Sequence, residues 1–208
     1  MRHSMGHAGR LALHLLVLAL AAGSIALDAG AQDVYTTEVR VEGGIWVPTQ
    51  GMKNSLTTAP TVGVSARYIV WRGFSLTASA WFASPNDKIQ GPPCPCGSLV
   101  QPNPERVAIT QGDLGLEWGR RVTSFGEWTL VSSVGAGIGG RGYAPANSTE
   151  PHMTAVAGLA TLGLSLVHER IALRVEARDY LSTWDGLTNY QPVTGNDLAV
   201  HAGIGWRW

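Results

Sequence analysis

The chain has 208 residues, with 15 basic and 15 acidic side chains and a formal net charge of +0 at pH 7. Charged residues make up only 14% of it, whereas soluble domains average about 25%, and its only lysines are Lys53 and Lys88. A neutral chain gives no electrostatic reason to bind nucleic acid, so we expect no such partner.

The first 31 residues predict a secretory signal peptide, which leaves residues 32–208 as one domain. A basic start is followed by an apolar run over Leu11–Ala22 and by the small-residue cleavage site Ala29-Gly30-Ala31. The apolar run is shorter than the ~20 residues of a spanning helix, which disfavours an uncleaved membrane anchor. The sequence therefore predicts an exported protein.

The exported part predicts eight strands, because apolar and polar residues alternate along it with period two. The segments lie at about 34–47, 61–70, 74–82, 107–118, 128–139, 153–166, 171–181 and 198–208. No apolar stretch after the signal segment is long enough for a helical span. A membrane location would therefore require a closed barrel, because backbone polar groups in lipid need partners.

The predicted connections alternate in length along the chain. Long ones fall at 48–60, 83–106, 140–152 and 182–196, and short ones at 71–73, 119–127 and 167–170. Outer-membrane barrels sort their connections in this way, with short turns and both termini in the periplasm. The pattern therefore predicts four longer loops at the cell surface.

Aromatic residues on the apolar face gather near the predicted periplasmic ends. They are Tyr35, Phe74, Trp118, Trp128, Trp206 and Trp208. This placement predicts an aromatic girdle at the membrane interface. The alternative is a set of ordinary core aromatics.

The polar face of the strands is mostly small residues, with arginines and carboxylates but no lysine. Small residues suit the narrow interior of an eight-stranded barrel, and buried charges need partners. We therefore predict an ion-pair network in the lumen. Its members are Glu38, Arg40, Glu42, Arg67, Asp113, Glu117, Arg174, Glu176 and Arg178. Arg207 is a further inward-facing charge that helps to balance it. The predicted fold is an all-β, closed, antiparallel eight-stranded transmembrane barrel with up-and-down topology.

With these features the chain resembles the small OmpA/OmpX-type bacterial outer-membrane barrels over nearly all of residues 32–208. The resemblance rests on the signal peptide, the alternating strands, the sorted connections and the Trp206-Arg207-Trp208 end. It implies location in the cell outer membrane of a Gram-negative envelope. It also implies outer-membrane lipids and the barrel assembly machinery as partners, with the terminal aromatic residue as recognition signal.

Fold alone does not choose a function within this group. The histidines of residues 32–208 are His152 at a loop edge, His168 in a periplasmic turn and His201 on the lumen face, and they form no recognisable catalytic set. We predict a structural or surface-interaction role through the long loops, without catalysis, cofactor or metal. The alternatives are a soluble periplasmic lipocalin-like barrel with a small hydrophobic ligand and, second, a lipid A-modifying enzyme. A transport role is disfavoured by the narrow, charged lumen.

The longest predicted loop contains Cys94-Pro95-Cys96. In an exported protein these cysteines are expected to be oxidised, although a ring across one residue is strained. A local disulfide, intermolecular bonds and free thiols remain open, and we favour the local disulfide.

Overall fold

A computed structural model describes residues 36–49, 53, 56–71, 73–86, 106–145, 153–185 and 192–208. The predicted signal peptide, Tyr35, Cys94, Cys96 and His152 lie outside these residues. The predictions made for them stay predictions.

Eight strands in chain order form the described fold. They are β1 (Thr37–Pro48), β2 (Ala59–Trp71), β3 (Phe74–Ala83), β4 (Val107–Phe125), β5 (Trp128–Pro145), β6 (Met153–His168), β7 (Ile171–Asp185) and β8 (Pro192–Arg207). Each strand pairs antiparallel with the next, and β1 also pairs with β8 to close the barrel. The predicted all-β, closed, up-and-down eight-stranded barrel is confirmed.

The seam between β1 and β8 extends along nearly the whole length of β1, from Glu38 opposite Arg207 to Pro48 opposite Asp197. We call the end of the barrel where β1 begins and β8 ends the lower end, and the opposite end the upper end. At the lower end the amide of Trp208 donates to the carbonyl of Thr37 over 3.0 Å. Closure pairs the backbone polar groups that an open sheet leaves at its edges. The wall is therefore a continuous hydrogen-bonded surface.

The predicted connection at 119–127 is wrong in extent, because β4 and β5 continue into a longer hairpin and only residues 126–127 form the turn. The partner strand β3 ends its pairing at Phe74 opposite Trp118, and the β4–β5 ladder continues to Phe125 opposite Trp128. A register shift between Arg121 and Thr123 interrupts the ladder. Because of this bulge, Phe125 lies on the same outward face as its partner Trp128. The bulge also interrupts the period-two alternation from which the sequence prediction was made.

Two predicted long connections, 140–152 and 182–196, are also wrong in extent. β5 continues to Pro145 and β6 begins at Met153, while β7 continues to Asp185 and β8 begins at Pro192. Glycine-rich and polar residues near these ends carry a turn-like composition, but pairing with a neighbouring strand overrides that local preference. The longer connections that remain are 49–58 and 84–106.

The barrel has an apolar outer surface and a polar lower interior. Leu114 is 67% exposed and Val156 75%, whereas Arg174 is 3% exposed and Glu117 4%. A soluble lipocalin-like barrel requires the opposite arrangement, with apolar side chains inside. Among the described residues, no helix has the length and hydropathy of a membrane span.

The turn between β2 and β3 depends on Gly73. This residue has a φ of 85°, and a Cβ atom there would lie 2.5 Å from the carbonyl oxygen of Gly119. The amide of Gly119 donates to the carbonyl of Gly73 over 2.9 Å. The two backbones therefore approach closely at the start of the β4–β5 extension.

We expect Gly73→Ala to lower the free energy of unfolding by roughly 1–3 kcal/mol, since it adds a collision to a left-handed backbone. The matched control is Gly126→Ala. Gly126 has a φ of 60°, but open space lies where its Cβ would be, so its loss should be about 1 kcal/mol. Urea unfolding in detergent measures both. Equal losses would show that the collision at Gly73 is relieved by movement of the turn.

Candidate functional site

The lower half of the lumen holds a network centred on Arg174. Its Nε donates to Glu176 over 2.6 Å, and its Nη1 donates to Glu117 Oε1 over 3.1 Å. Arg174 Nη2 contacts the second oxygen of Glu117. Glu117 also lies 3.3 Å from Arg67 Nε, which donates to Ser75 over 2.9 Å. One guanidinium group thus joins two carboxylates on different strands.

Arg178 extends this network across the lumen. Its Nε donates to Glu176 over 2.5 Å, and its Nη2 donates to Glu42 over 2.7 Å. Because Glu42 lies on β1 and Arg178 on β7, the pair spans the seam strand β8. The interaction therefore stabilises the closed form of the barrel.

Glu38 forms the lower end of the lumen. Arg40 Nε lies 3.2 Å from one of its oxygens, and Arg207 Nε lies 3.8 Å from the other. These three side chains are buried. They close the end of the lumen next to the Trp208–Thr37 contact of the β1–β8 seam.

Asp113 has neutral partners in place of a guanidinium group. Ser79 and Tyr180 each donate a hydroxyl to its Oδ2 over 3.0 Å, and Gln111 donates to Oδ1 over 2.5 Å. Every residue predicted for the lumen network is thus inward-facing and buried, but Asp113 belongs to a polar cluster above the ion pairs.

The described inward side chains are balanced in charge. Six carboxylates and six guanidinium groups are buried there: Glu38, Glu42, Asp113, Glu117, Glu176, Asp197, Arg40, Arg67, Arg141, Arg174, Arg178 and Arg207. Desolvation of a charge costs several kcal/mol unless partners compensate it. The balance of charge and the ion pairs among these groups meet that requirement in part, although Arg40 and one oxygen of Glu38 are held by ionic contact at 3.2 Å without a hydrogen bond.

The upper lumen contains an ion pair that sequence reasoning missed. Arg141 Nη1 lies 2.8 Å from both carboxylate oxygens of Asp197, and its Nε donates to Gln111 over 2.5 Å. The indole of Trp46 also donates to Asp197. Arg141 was assigned to a loop, although the continued alternation Arg141-Gly142-Tyr143 could have indicated an inward position.

Aromatic rings surround the Arg141 guanidinium group. Its Cζ atom lies 4.8 Å from the centre of the Tyr180 ring and 5.6 Å from that of Trp81. The indole of Trp81 donates to the Tyr180 hydroxyl over 2.8 Å. Cation–π contact and buried hydrogen bonds together hold Arg141 in one position. We call Arg141, Asp197 and the aromatic residues in contact with them, which are Trp46, Trp81 and Tyr180, the upper clasp.

A small apolar cluster fills the lumen around the upper clasp. Its buried members are Trp46, Leu56, Ala59, Trp81, Ala83, Val107, Ile109, Tyr143, Ala157, Tyr180 and Ala199. Leu56 comes from the connection between β1 and β2 and is fully buried. The described upper lumen is therefore a packed core, not a channel lining.

The roots of the two longer connections are fixed to each other at the upper rim. Asn86 bridges to Arg106, the amide of Asn86 donates to Thr57 Oγ1 over 2.9 Å, and the amide of Thr57 donates to the carbonyl of Asn86 over 3.0 Å. The rim thus holds the starting points of both connections on the barrel.

Aromatic side chains surround the lower end of the outer surface. Trp206 and Trp208 are about half exposed, Phe74 pairs in register with Trp118, and Trp128 lies at the start of β5. Sequence reasoning missed Trp71, which stacks on Phe74 at 6.4 Å. It also missed Phe125, because the bulge in β4 changes the face of that residue.

The two described histidines of the barrel have different surroundings. His168 is the last residue of β6, not part of the turn as predicted, and it contacts Glu127 at 2.8 Å and the Trp128 ring at 4.9 Å. His201 faces the lumen and packs edge-on against Trp81 at 6.0 Å. Within the described part of the chain, no group of three or more His, Cys, Asp or Glu could hold a metal ion.

Comparison with known proteins agrees with this architecture. The chain is similar to Neisserial surface protein A, with a TM-score of 0.56, 8% identity, and coverage of 83% of this chain and 97% of that one. It is also similar to the outer membrane protein OprG from Pseudomonas aeruginosa, with a TM-score of 0.54, 10% identity, and coverage of 86% and 99%. No protein-family model and no curated protein sequence matches the chain.

The chain therefore has the fold of the small eight-stranded outer-membrane barrels. The resemblance to the OmpA/OmpX type is confirmed at the level of the fold. At these identities the similarity concerns architecture, and the particular role has to be argued from this chain's own residues.

Proposed function

We propose that this protein is an integral β-barrel of the bacterial outer membrane with a structural or surface-interaction role and no catalytic activity. The observation that carries the proposal is the distribution of side chains, which is the reverse of that in a soluble barrel. Apolar side chains cover the outer wall, while charges and their partners fill the lower lumen. Only a lipid environment makes that distribution favourable.

The connections give the barrel its orientation in this proposal. Short turns after β2, β4 and β6 and the aromatic girdle mark the periplasmic end. The connections 49–58 and 84–106 then extend from the cell surface, where their roots are joined through Thr57, Asn86 and Arg106. Loops fixed to a rigid scaffold suit recognition of a surface partner.

The contents of the lumen argue against a transport role. Ion pairs occupy its lower part, and the upper clasp with its apolar cluster occupies the rest. The interior of an eight-stranded barrel is narrow enough for side chains to fill, and the described side chains occupy it here. The proposed partners are outer-membrane lipids and, through the Trp206-Arg207-Trp208 end, the assembly machinery.

Membrane fractionation combined with an SDS gel of boiled and unboiled samples tests the proposal. We expect the protein in the outer-membrane fraction with heat-dependent mobility. Protease added to intact cells should cleave within residues 84–106, and the purified barrel should give no stable conductance steps in planar bilayers. A detergent-free periplasmic protein without a mobility shift would contradict the membrane location. Regular conductance steps would contradict the closed lumen.

A further inference from the structure

The β4–β5 hairpin continues beyond the point where β3 begins. The amide of Gly119 donates to the carbonyl of Gly73 over 2.9 Å, at the turn that joins β2 to β3. Beyond this bond β4 continues to Phe125, and its ladder with β5 continues with it. On the other side of this part of β4, no strand lies among the described residues. We call residues 121–125 the free edge of β4.

The opposite side of the same hairpin is held in place. β5 pairs with β6 as far as Thr129 opposite Val167. At the tip, His168 contacts Glu127 at 2.8 Å and the Trp128 ring at 4.9 Å. The free edge is therefore presented by a supported hairpin, so that binding to it costs little conformational entropy on the side of the barrel.

Backbone groups of the free edge point away from β5. Phe125 and Trp128 flank the two-residue turn 126–127 and so exchange hydrogen bonds with each other. Ser124 and Thr129 form the next pair, which in an antiparallel ladder is not hydrogen-bonded. The amide and carbonyl of Ser124 thus face the side beyond β3. Backbone donors and acceptors at an open sheet edge are the groups that bind an added strand.

The free edge carries a positive charge. Arg121 is exposed, and its Nε donates to the Ser124 hydroxyl, an uncharged partner, over 3.0 Å. Residues 121–125 contain no carboxylate. Because opposite charges on adjacent strands stabilise the pair, the edge favours an added strand with a carboxylate opposite Arg121.

A second copy of this chain does not fit the free edge. Two copies in one membrane have the same orientation, so a two-fold axis along the membrane normal brings their β4 edges together in parallel. Arg121 of one copy would then lie beside Arg121 of the other, and like charges in this position destabilise a strand pair. Charges and bulges at an edge discourage pairing between identical edges. The partner is therefore a different, acidic segment.

We infer that the free edge of β4 binds an extended acidic peptide segment of another protein, which adds to the sheet as a further strand. This inference rests on the proposed function, because that function places the β4–β5 hairpin on the periplasmic side. Ser124 supplies a backbone donor and acceptor, and Arg121 selects a carboxylate in the added strand. The barrel thereby has a periplasmic contact that is separate from its longer loops.

Titration of the refolded protein in detergent with two labelled peptides of about ten residues tests the inference. One peptide alternates threonine with glutamate, and the other alternates threonine with lysine. We expect saturable binding of the glutamate peptide, with protection of the Ser124 amide from hydrogen exchange, and no saturable binding of the lysine peptide. Arg121→Glu should weaken binding of the glutamate peptide roughly tenfold, because it places like charges side by side.

Ser124→Pro tests the backbone contact directly. It removes the amide donor at the free edge but no bond between β4 and β5, so affinity for the glutamate peptide should fall roughly tenfold. The matched control is Ser124→Ala, which loses the same hydroxyl contacts but keeps the amide and should bind like the wild type. Heat-dependent mobility on an SDS gel shows that each variant is folded.

Equal affinity of the wild type and Ser124→Pro for the glutamate peptide would overturn the inference alone, and so would the absence of binding by the wild type. Protection of the Ser124 amide that rises with protein concentration without peptide would also overturn it, because it would assign the free edge to a second copy. Recovery of the wild type as a detergent-free periplasmic protein would instead overturn the proposed membrane function.

Discussion

Replacing Arg174 with alanine is expected to lower the free energy of unfolding by about 3–5 kcal/mol, the range for removing one partner of a buried ion pair. Arg174 is almost fully buried and contacts both Glu117 and Glu176. Its removal leaves the buried charges of the lumen with one carboxylate in excess, at a site where Glu117 and Glu176 are both shielded from solvent. The measurement is the urea midpoint and slope of the refolded barrel in detergent.

Two further variants separate charge balance from lost packing. Arg174→Met leaves the same unbalanced carboxylate but retains much of the side-chain volume, so it should be nearly as harmful as alanine. Adding Glu117→Gln to Arg174→Met should recover part of the loss, since it removes the excess charge. An unchanged midpoint for Arg174→Ala would mean that this residue contacts water, contrary to the described lumen.

Replacing Arg141 with alanine is the second large expected effect, again about 3–5 kcal/mol. The change leaves Asp197 with the Trp46 indole as its described hydrogen-bond donor, and it removes the cation between the Tyr180 and Trp81 rings. Because Arg141 joins β5 to β8 and to Gln111 on β4, the upper wall should loosen before the lower wall does.

Tryptophan fluorescence provides the specific readout for this variant. Trp46 and Trp81 are both buried at the upper clasp, so Arg141→Ala should shift their emission to longer wavelength at urea concentrations where the Arg174 variants retain native emission. Arg141→Lys is the matched control. It keeps the charge, but a single ammonium group cannot replace both the Nη1 contact with Asp197 and the Nε bond to Gln111, so an intermediate loss is expected. Native emission and midpoint in Arg141→Ala would refute the role of the clasp.

Which residues face inward could be predicted because that information is local. Period-two alternation assigns each strand residue to one face, and the absence of lysine from the polar face indicated a lumen. Glu42, Glu117 and Arg178 could thus be placed inside. Their pairing could not be predicted, since Arg178 and Glu42 are separated by 136 positions in the chain and meet only when the barrel closes.

Strand ends were the weakest part of the sequence prediction. Gly139, Gly140 and Gly142 resemble turn residues, yet β5 passes through them because β4 and β6 pair with it on both sides. Arg141 was therefore missed. On β4 the bulge after Arg121 reverses the alternation, which no local pattern reveals.

The sequence by itself determined the strand count, the outward and inward faces, and the class of barrel, because alternation and composition act residue by residue. Only the tertiary structure decided which strands extend and which inward charges meet. It placed Asp113 with hydroxyl and amide donors, and it placed Asp197 beside Arg141. The physical reason is that these contacts depend on the stagger and closure of all eight strands, which no single segment encodes.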